Sequence, residues 1–403
     1  MKPTLTYWDS NPNSGRTEAF TIAGETFARE AGITFEYRPV GIRGYVEKVL
    51  EAWGRGEGPD VIDVWPAWIP RLKAGLLPLE NAFSEWPARD RYDRSHLDLS
   101  RSVDDTLWFL ACDLFIQGTH YRSDLMRAAG LEDPRTLDEG GTWTLEAFRE
   151  TAARLHDPEA GMVGVSLRGG QGGELTALNL MVSANHGNLH DTSGRCLLDT
   201  PEAVKALRDY VALAHPLGLA QPTAATDGYI EFAWRFYERG AAMMLHNDDA
   251  AKSAQSRYLG PDDYRNCRLP STTGDPWVGL AGFGVGANRQ SPLAGHAARY
   301  VHFFVEHYGR HLNLGTRASG ESRIQSHDCR PMHPWPPEPD PLMLPFRHIL
   351  EQRDRLYRLP WEDPRFSAAI ADIIQPGLSS LLRGEGNPAE AARAWANALH
   401  QST

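Results

Sequence analysis

Residues 4–64 alternate strand and helix patterns, and that order narrows the possible folds more than any other feature of the chain. Thr4-Leu5-Thr6-Tyr7-Trp8 reads as a strand, and a polar loop from Asp9 to Gly15 follows it. Phe20, Ala23, Phe27 and Ala31 then recur at helical spacing. Ile33 to Tyr37 is a second strand. Val46, Val49, Leu50 and Trp53 line one face of a second helix, which Gly54 ends. Pro59-Asp60 leads into Val61-Ile62-Asp63-Val64, a short strand of the buried type. A β-α-β-α-β order predicts a mainly parallel sheet with ligand loops at the carboxyl ends of its strands.

The chain has 403 residues, beyond the size at which one hydrophobic core stops growing, so two lobes are expected. Further helices are predicted where caps coincide with apolar stripes. Thr144 caps one carrying Leu145, Phe148, Ala152 and Leu155. Thr200-Pro201-Glu202 starts another, with Pro at its first position and an acid in its first turn. Leu293, Ala297, Tyr300, Val301 and Phe304 form a third stripe, and Asn387-Pro388 opens the last helix. Leu280 to Val285 reads as a strand broken by glycines. Ala241 to Leu245 is an apolar run ahead of the polar cluster His246-Asn247-Asp248-Asp249.

Charge and composition exclude several function classes. The formal net charge is −11, which argues against a nucleic-acid partner, since that role wants a basic face. No apolar run approaches the ~18 residues that cross a bilayer. Cys112, Cys196, Cys267 and Cys329 are scattered with no C-x-x-C pair, so a zinc or thioredoxin-like motif is not expected, while disulfides are permitted. His307 and His311 stand four apart on a predicted helix, but no third ligand lies nearby, so no metal site is expected. The glycine-rich loop Arg168 to Gly173 lacks any phosphate-binding spacing and reads as a connecting or ligand-lining loop. The 12 Trp are unusual, and indole suits stacking on sugar rings as well as core filling. Met1-Lys2-Pro3-Thr4 leads straight into a strand, which fits either a cytoplasmic protein or a mature chain whose export signal has been removed.

Several motifs, in order along the chain, resemble the family 1 extracellular solute-binding proteins of ABC importers, the group that includes the maltose-binding protein. Gly58-Pro59-Asp60-Val61-Ile62 followed by Leu72-Lys73-Ala74-Gly75-Leu76-Leu77-Pro78-Leu79 is the most specific. Phe109 to Asp113 with His120 to Leu125 is similar to the family's crossing from first to second lobe. Ala129-Gly130-Leu131, Thr142-Trp143-Thr144, Leu198 to Val204, Phe236 to Met243, and Leu269-Pro270 with Gly279 to Gly286 continue the match.

The resemblance implies a two-lobed α/β fold of the periplasmic-binding-protein type, each lobe a mainly parallel sheet flanked by helices, joined by a discontinuous hinge. One lobe would hold residues 1–111 plus 278–316, the other residues 112–277 plus 317–403, with the ligand cleft between them. It implies a monomeric, non-enzymatic receptor outside the cytoplasm, periplasmic or lipid-anchored, that passes a carbohydrate or sugar derivative to permease subunits. No cofactor or metal is expected.

Candidate ligand residues come from loops that the resemblance sets at the cleft. They are Trp8, Asp9 and Asn11 after the first strand, Trp65 and Trp68 after the third, and Asp113 at the first crossing. Asn247, Asp248, Asp249, Trp277, Gly279 and Arg323 complete the set. Carboxylates, amides and Arg suit hydroxyl groups, and indole suits sugar faces. Each also has a plainer role open to it: a hinge bond for Asp113, core filling for one of Trp65 and Trp68, a helix cap for the 247–249 cluster, a turn for Gly279, a surface ion pair for Arg323. Relatives often carry an aromatic stacking residue just after the position of Met243; here Leu245-His246 stands there instead. Arg16, Arg43, Arg168 and Arg323 leave an anionic sugar derivative open. The alternative function is a glycoside hydrolase pairing Asp113 with Asp248 or Asp249.

Overall fold

The computed structural model describes residues 2–12, 14–102, 104–248, 250, 259–260, 262–318, 331–334 and 341–400, with the side chains of 14–16 and 308–318 excluded. Asp249, Arg323, Cys329 and the side chains of Arg16 and His311 lie outside these described residues. The chain divides into two compact units. The first holds Met1–Leu114, Ala281–Glu338 and Pro360–Asp363; the second holds Phe115–Leu280, Pro339–Leu359 and Pro364–Thr403.

In the first unit the predicted alternation forms. Strands β1 (Thr4–Asp9), β2 (Thr34–Pro39) and β3 (Val61–Val64) pair in parallel, with β1 central. Helix Ser14–Ala31 connects the first two strands, and helix Tyr45–Gly54 the second and third. Strand β4 (Leu110–Phe115) ends this unit's first segment, and β5 (Gln117–Arg122), β6 (Val163–Ser166), β7 (Ala241–Asn247) and β8 (Tyr264–Arg268) lie in the second unit. Strand β9 (Val278–Ala287) returns to run antiparallel beside β3, with Ile62 opposite Gly286, and also pairs β4. The core here is aromatic. Phe20 meets Phe304 at 4.7 Å between ring centroids, and Tyr7 packs 5.8 Å from each.

The expectation of a broken strand at Leu280 to Val285 is corrected, because β9 is continuous. A Cβ at Gly282 would lie 2.1 Å from the Asp113 carbonyl oxygen, and one at Gly284 2.0 Å from that of Leu110. These glycines let the β4 backbone press against β9 rather than interrupt it.

The second unit departs from the mainly parallel expectation. Its sheet has the order β6-β7-β5-β8, and of its pairs only β6–β7 is parallel. Strand β5 follows β4 without a helical crossover, and in this sheet it lies antiparallel to both of its neighbours, β7 and β8. Strand β7 runs on past the apolar run, through His246 and Asn247 of the polar cluster. The first residues of β9, Val278–Leu280, pair here with the last strand, β10 (Leu356–Arg358). The predicted caps form: Thr144 accepts the Ala147 N–H at 3.1 Å, and Asn387 that of Ala389 at 2.8 Å.

Residues 331–334 belong with the first unit. Asp93 N–H donates to the Pro331 carbonyl at 2.7 Å, and Tyr92 bridges Met332. Cys112, Cys196 and Cys267 are buried, and no disulfide joins any two of them. Among the described residues no helix is long and apolar enough to cross a membrane, and no group of three or more His, Cys, Asp or Glu is placed to hold a metal. His307 turns its ring nitrogen to the Phe303 carbonyl, 2.8 Å away on its own helix.

Candidate ligand-binding residues in the two units

In the first unit the polar candidates gather at the carboxyl ends of β1 and β3. Asp9 is wholly buried, with Tyr37 OH donating to it at 2.5 Å and the Asn11 N–H at 2.9 Å. Beside it, Asp63 accepts the backbone N–H and hydroxyl of Ser10 at 2.8 and 2.7 Å, and a hydroxyl from Tyr7. Tyr45 OH donates to the Trp8 carbonyl at 2.5 Å and accepts the Asp63 N–H at 3.1 Å. These bonds fix the loop after β1, and Asp9 is a framing residue of that loop. Asn11 is exposed at its tip.

Trp8 points elsewhere. The Arg38 guanidinium sits 4.8 Å from its ring centre, in a pocket lined also by Pro39, Lys48 and Glu51. Trp65 and Trp68 come together, 6.1 Å apart and half-buried. Trp65 stacks on Phe283 of β9 at 5.9 Å, and Trp68 leans on Tyr45 at 5.3 Å. Asp113, nearly buried, lies on β4 where its carbonyl meets Gly282.

In the second unit Asp248 is buried and tied to the chain opposite. Its carboxylate accepts the Ile116 N–H at 3.1 Å, while its own N–H donates to the Ile116 carbonyl at 2.9 Å. Asn247, half-buried, ends β7 opposite Gln117. Trp277 lies under the Arg355 guanidinium at 5.3 Å, and its buried indole N–H meets no hydrogen-bond acceptor among the described residues. The close approach expected at Gly279 is to protein rather than to open space: a Cβ there would lie 2.5 Å from Asn179 Oδ1. Tyr357 OH donates to that same oxygen at 2.6 Å, and Asn179 Nδ2 donates to Gln117 at 2.8 Å.

A second cluster in this unit joins Arg168 of the glycine loop, already a possible ligand residue from the sequence, to Glu174, Tyr229 and His246, which the sequence did not single out. Helix Glu174–Ala184 begins right after the glycine loop, so Glu174 stands in its first turn near Arg168. Arg168 lies 5.9 Å from the Tyr229 ring centre, and Tyr229 lies 5.3 Å from the His246 ring. Burial pushes the Glu174 carboxyl up and the Arg168 guanidinium down from their ordinary values, with each charge partly offsetting the other's shift. Burial, reinforced by His120 and Arg168, holds His246 well below the usual imidazole range, so it is neutral near pH 7. The sequence signal for this site was the glycine loop itself. Gly172 and Gly173 let the backbone fold back toward Arg168, whose side chain donates to the Gln171 carbonyl, while Gly170 presses on the Asp227 backbone.

The chain was compared with known proteins. The family model for the bacterial extracellular solute-binding proteins matches residues 12–305. A putative ABC transporter periplasmic-binding protein of Escherichia coli, YcjN, is 27% identical over 186 residues, 44% of this chain and 41% of that protein. The mannitol-binding protein of Pseudomonas aeruginosa is 33% identical over 132 residues, 32% of this chain and 28% of its own length. The chain thus spans less than half the length of each of these two curated relatives. A solved ABC transporter solute-binding protein from Thermotoga lettingae, bound with α-D-tagatose, is similar in fold: it covers 99% of both chains with a TM-score of 0.74 at 19% identity. With a family model matched across most of its length, this chain belongs to the bacterial extracellular solute-binding protein family.

Proposed function

We propose that this chain is the substrate-binding component of an ABC importer, taking a carbohydrate or related polyol outside the cytoplasm, in the periplasm or from a lipid anchor, and delivering it to permease subunits. It works as a monomer, and it binds without making or breaking a bond in its ligand. The observation that carries the carbohydrate reading is the half-buried Trp65, with Trp68 beside it, at the carboxyl end of β3. That end of a parallel sheet is where ligands bind, and an indole face suits the C–H face of a sugar. The relatives named for mannitol and bound with tagatose point the same way. Residues of both units are proposed to contact one ligand, so that binding favours a closed arrangement. The ligand must bind that arrangement preferentially, since equal affinity for both would shift nothing.

The glycoside hydrolase alternative draws less support. Asp248, one of its two proposed carboxylates, is 2% exposed and engaged with the Ile116 backbone. A thermal-shift screen of sugars and polyols, followed by chromatography of the incubated compound, tests the proposal. A selective rise in melting temperature with the compound recovered intact supports it. Consumption of the compound moves the assignment to an enzyme, and no shift for any compound removes the carbohydrate reading.

A further inference from the structure

We infer that Arg168, Glu174 and His246 form a subsite for a neutral polyhydroxy ligand, and that this subsite discriminates against sugar acids and sugar phosphates. The inference rests on the carbohydrate-binding reading and adds to it the charge class of the ligand. Three buried polar atoms in this one cluster have no hydrogen-bond partner among the described residues: Arg168 Nε, Glu174 Oε2 and His246 Nε2. Buried polar groups are ordinarily satisfied, so a donor, a carboxylate acceptor and an imidazole nitrogen left together mark a place where another molecule completes the bonding.

The chemistry of the three atoms selects what that molecule is. Arg168 Nε can only donate, and the Glu174 carboxylate can only accept. A hydroxyl accepts from the first and donates to the second, whereas a carboxylate or phosphate oxygen has no proton for Glu174 and brings a second negative charge beside it. An ammonium ligand meets the reverse difficulty at Arg168. The neutral imidazole of His246 adds no charge and takes one further hydroxyl in either sense. The opposite charges of Arg168 and Glu174 thus balance, and the subsite fits a molecule that has many hydroxyls and no charge. Tyr229, 42% exposed and held between Arg168 and His246, supplies the aromatic surface that the stretch after Met243 lacks.

The test is titration calorimetry of the full chain with mannitol, ribitol and tagatose, each matched with a derivative carrying a carboxylate or phosphate, repeated with Glu174→Gln. The expected result is binding of at least one neutral compound, its charged derivative weaker by about tenfold or more. Glu174→Gln, with an unchanged melting temperature, weakens the neutral ligand and narrows the gap to the charged one. A charged derivative that binds the wild-type chain as well as its neutral parent overturns the inference while leaving the carbohydrate reading in place, and so does a folded Glu174→Gln variant with unaltered selectivity. Should Glu174→Gln fail to fold, Arg168→Lys replaces it, and the wild-type comparison of matched pairs still decides. No binding by any compound overturns the carbohydrate reading and this inference with it.

Discussion

Gly282 stands so close to Asp113 that a Cβ on the glycine would lie 2.1 Å from the Asp113 carbonyl oxygen. This contact between β9 and β4 involves backbone on one side, so it cannot be relieved by a side chain swinging away. Gly282→Val is therefore expected to destabilise the fold by about 1–3 kcal/mol or more through overpacking. Urea denaturation reads this as a lower midpoint, and a midpoint equal to wild type would show that the strand pair has slack.

A second prediction concerns Asp93. It caps helix Arg94–Ser100 by accepting the Ser95 N–H at 2.9 Å, and it pairs with His96 at 3.0 Å and His333 at 2.9 Å. Burial pushes its carboxyl up, but the bonds and charges of the two histidines together push it further down, well below the usual carboxylate range. A depressed folded value means that the stabilisation is present above the unfolded carboxyl pKa and is lost only as pH falls through the folded one. Asp93→Ala is expected to cost about 2–4 kcal/mol at neutral pH, from lost cap and broken buried pair. Equilibrium denaturation at pH 7 measures it, and a cost under half a kcal/mol, below the usual worth of a cap alone, would contradict the assignment.

The third prediction is a pH dependence with a defined window. His120 and His302 are both pushed down from 6.5 to about 4, by burial in each case. Between those values the unfolded chain binds more protons than the folded one, so stability rises with pH from about 4 to about 6.5 and levels off above. The bonding around His120 requires the neutral ring. Its Nε2–H donates to the His246 carbonyl at 3.2 Å, which leaves Nδ1 to accept from Tyr264 OH at 2.6 Å. Each histidine contributes on the order of 1–3 kcal/mol across the window. Denaturation midpoints that stay flat from pH 4 to 6.5 would contradict the buried neutral state.

The fourth prediction separates stacking from packing at Trp65. Trp65→Ala is expected to weaken carbohydrate binding by about tenfold or more, as removal of an aromatic anchor does, while Trp65→Phe, which keeps a ring face, weakens it less. Calorimetry on the two variants gives the comparison. Equal affinities in wild type and Trp65→Ala would assign Trp65 to packing on Phe283 alone.

Much of the fold was legible because the motifs are structural. In the segment from Gly58 to Leu79, Asp60 accepts from the Thr6 N–H at 2.7 Å and hydroxyl at 2.9 Å, tying β3 to β1. Gly58 and Gly75 both press on the Trp53 indole, whose N–H donates to the Pro59 carbonyl at 3.0 Å. Such a sequence is readable because local geometry demands it. The caps at Thr144 and Asn387 were legible for the same reason. Strand direction in the second unit was not, since β5 and β8 are paired across more than a hundred residues and no local pattern encodes that pairing.

The candidate residues were legible only in part. Proximity to a strand end picked out Asp9 and Asp248, but such a position does not tell a loop-framing carboxylate from an open one. Both turned out to be held by bonds to Tyr37 and to the Ile116 backbone. Glu174 was missed because it reads as an ordinary first-turn acid of a helix. Tyr229 and His246 were missed because they join Arg168 only through tertiary packing.

The most direct test of the central claim is titration calorimetry of the full chain with neutral sugars and polyols. Saturable one-to-one binding of at least one of them is the expected result. A thermal shift in step with it should correspond to about 2.7 kcal/mol of added stability at ~100 times the dissociation constant. The compound is expected to return unchanged. Heat that never saturates because the compound is being consumed, or no binding by any of them, would contradict the account.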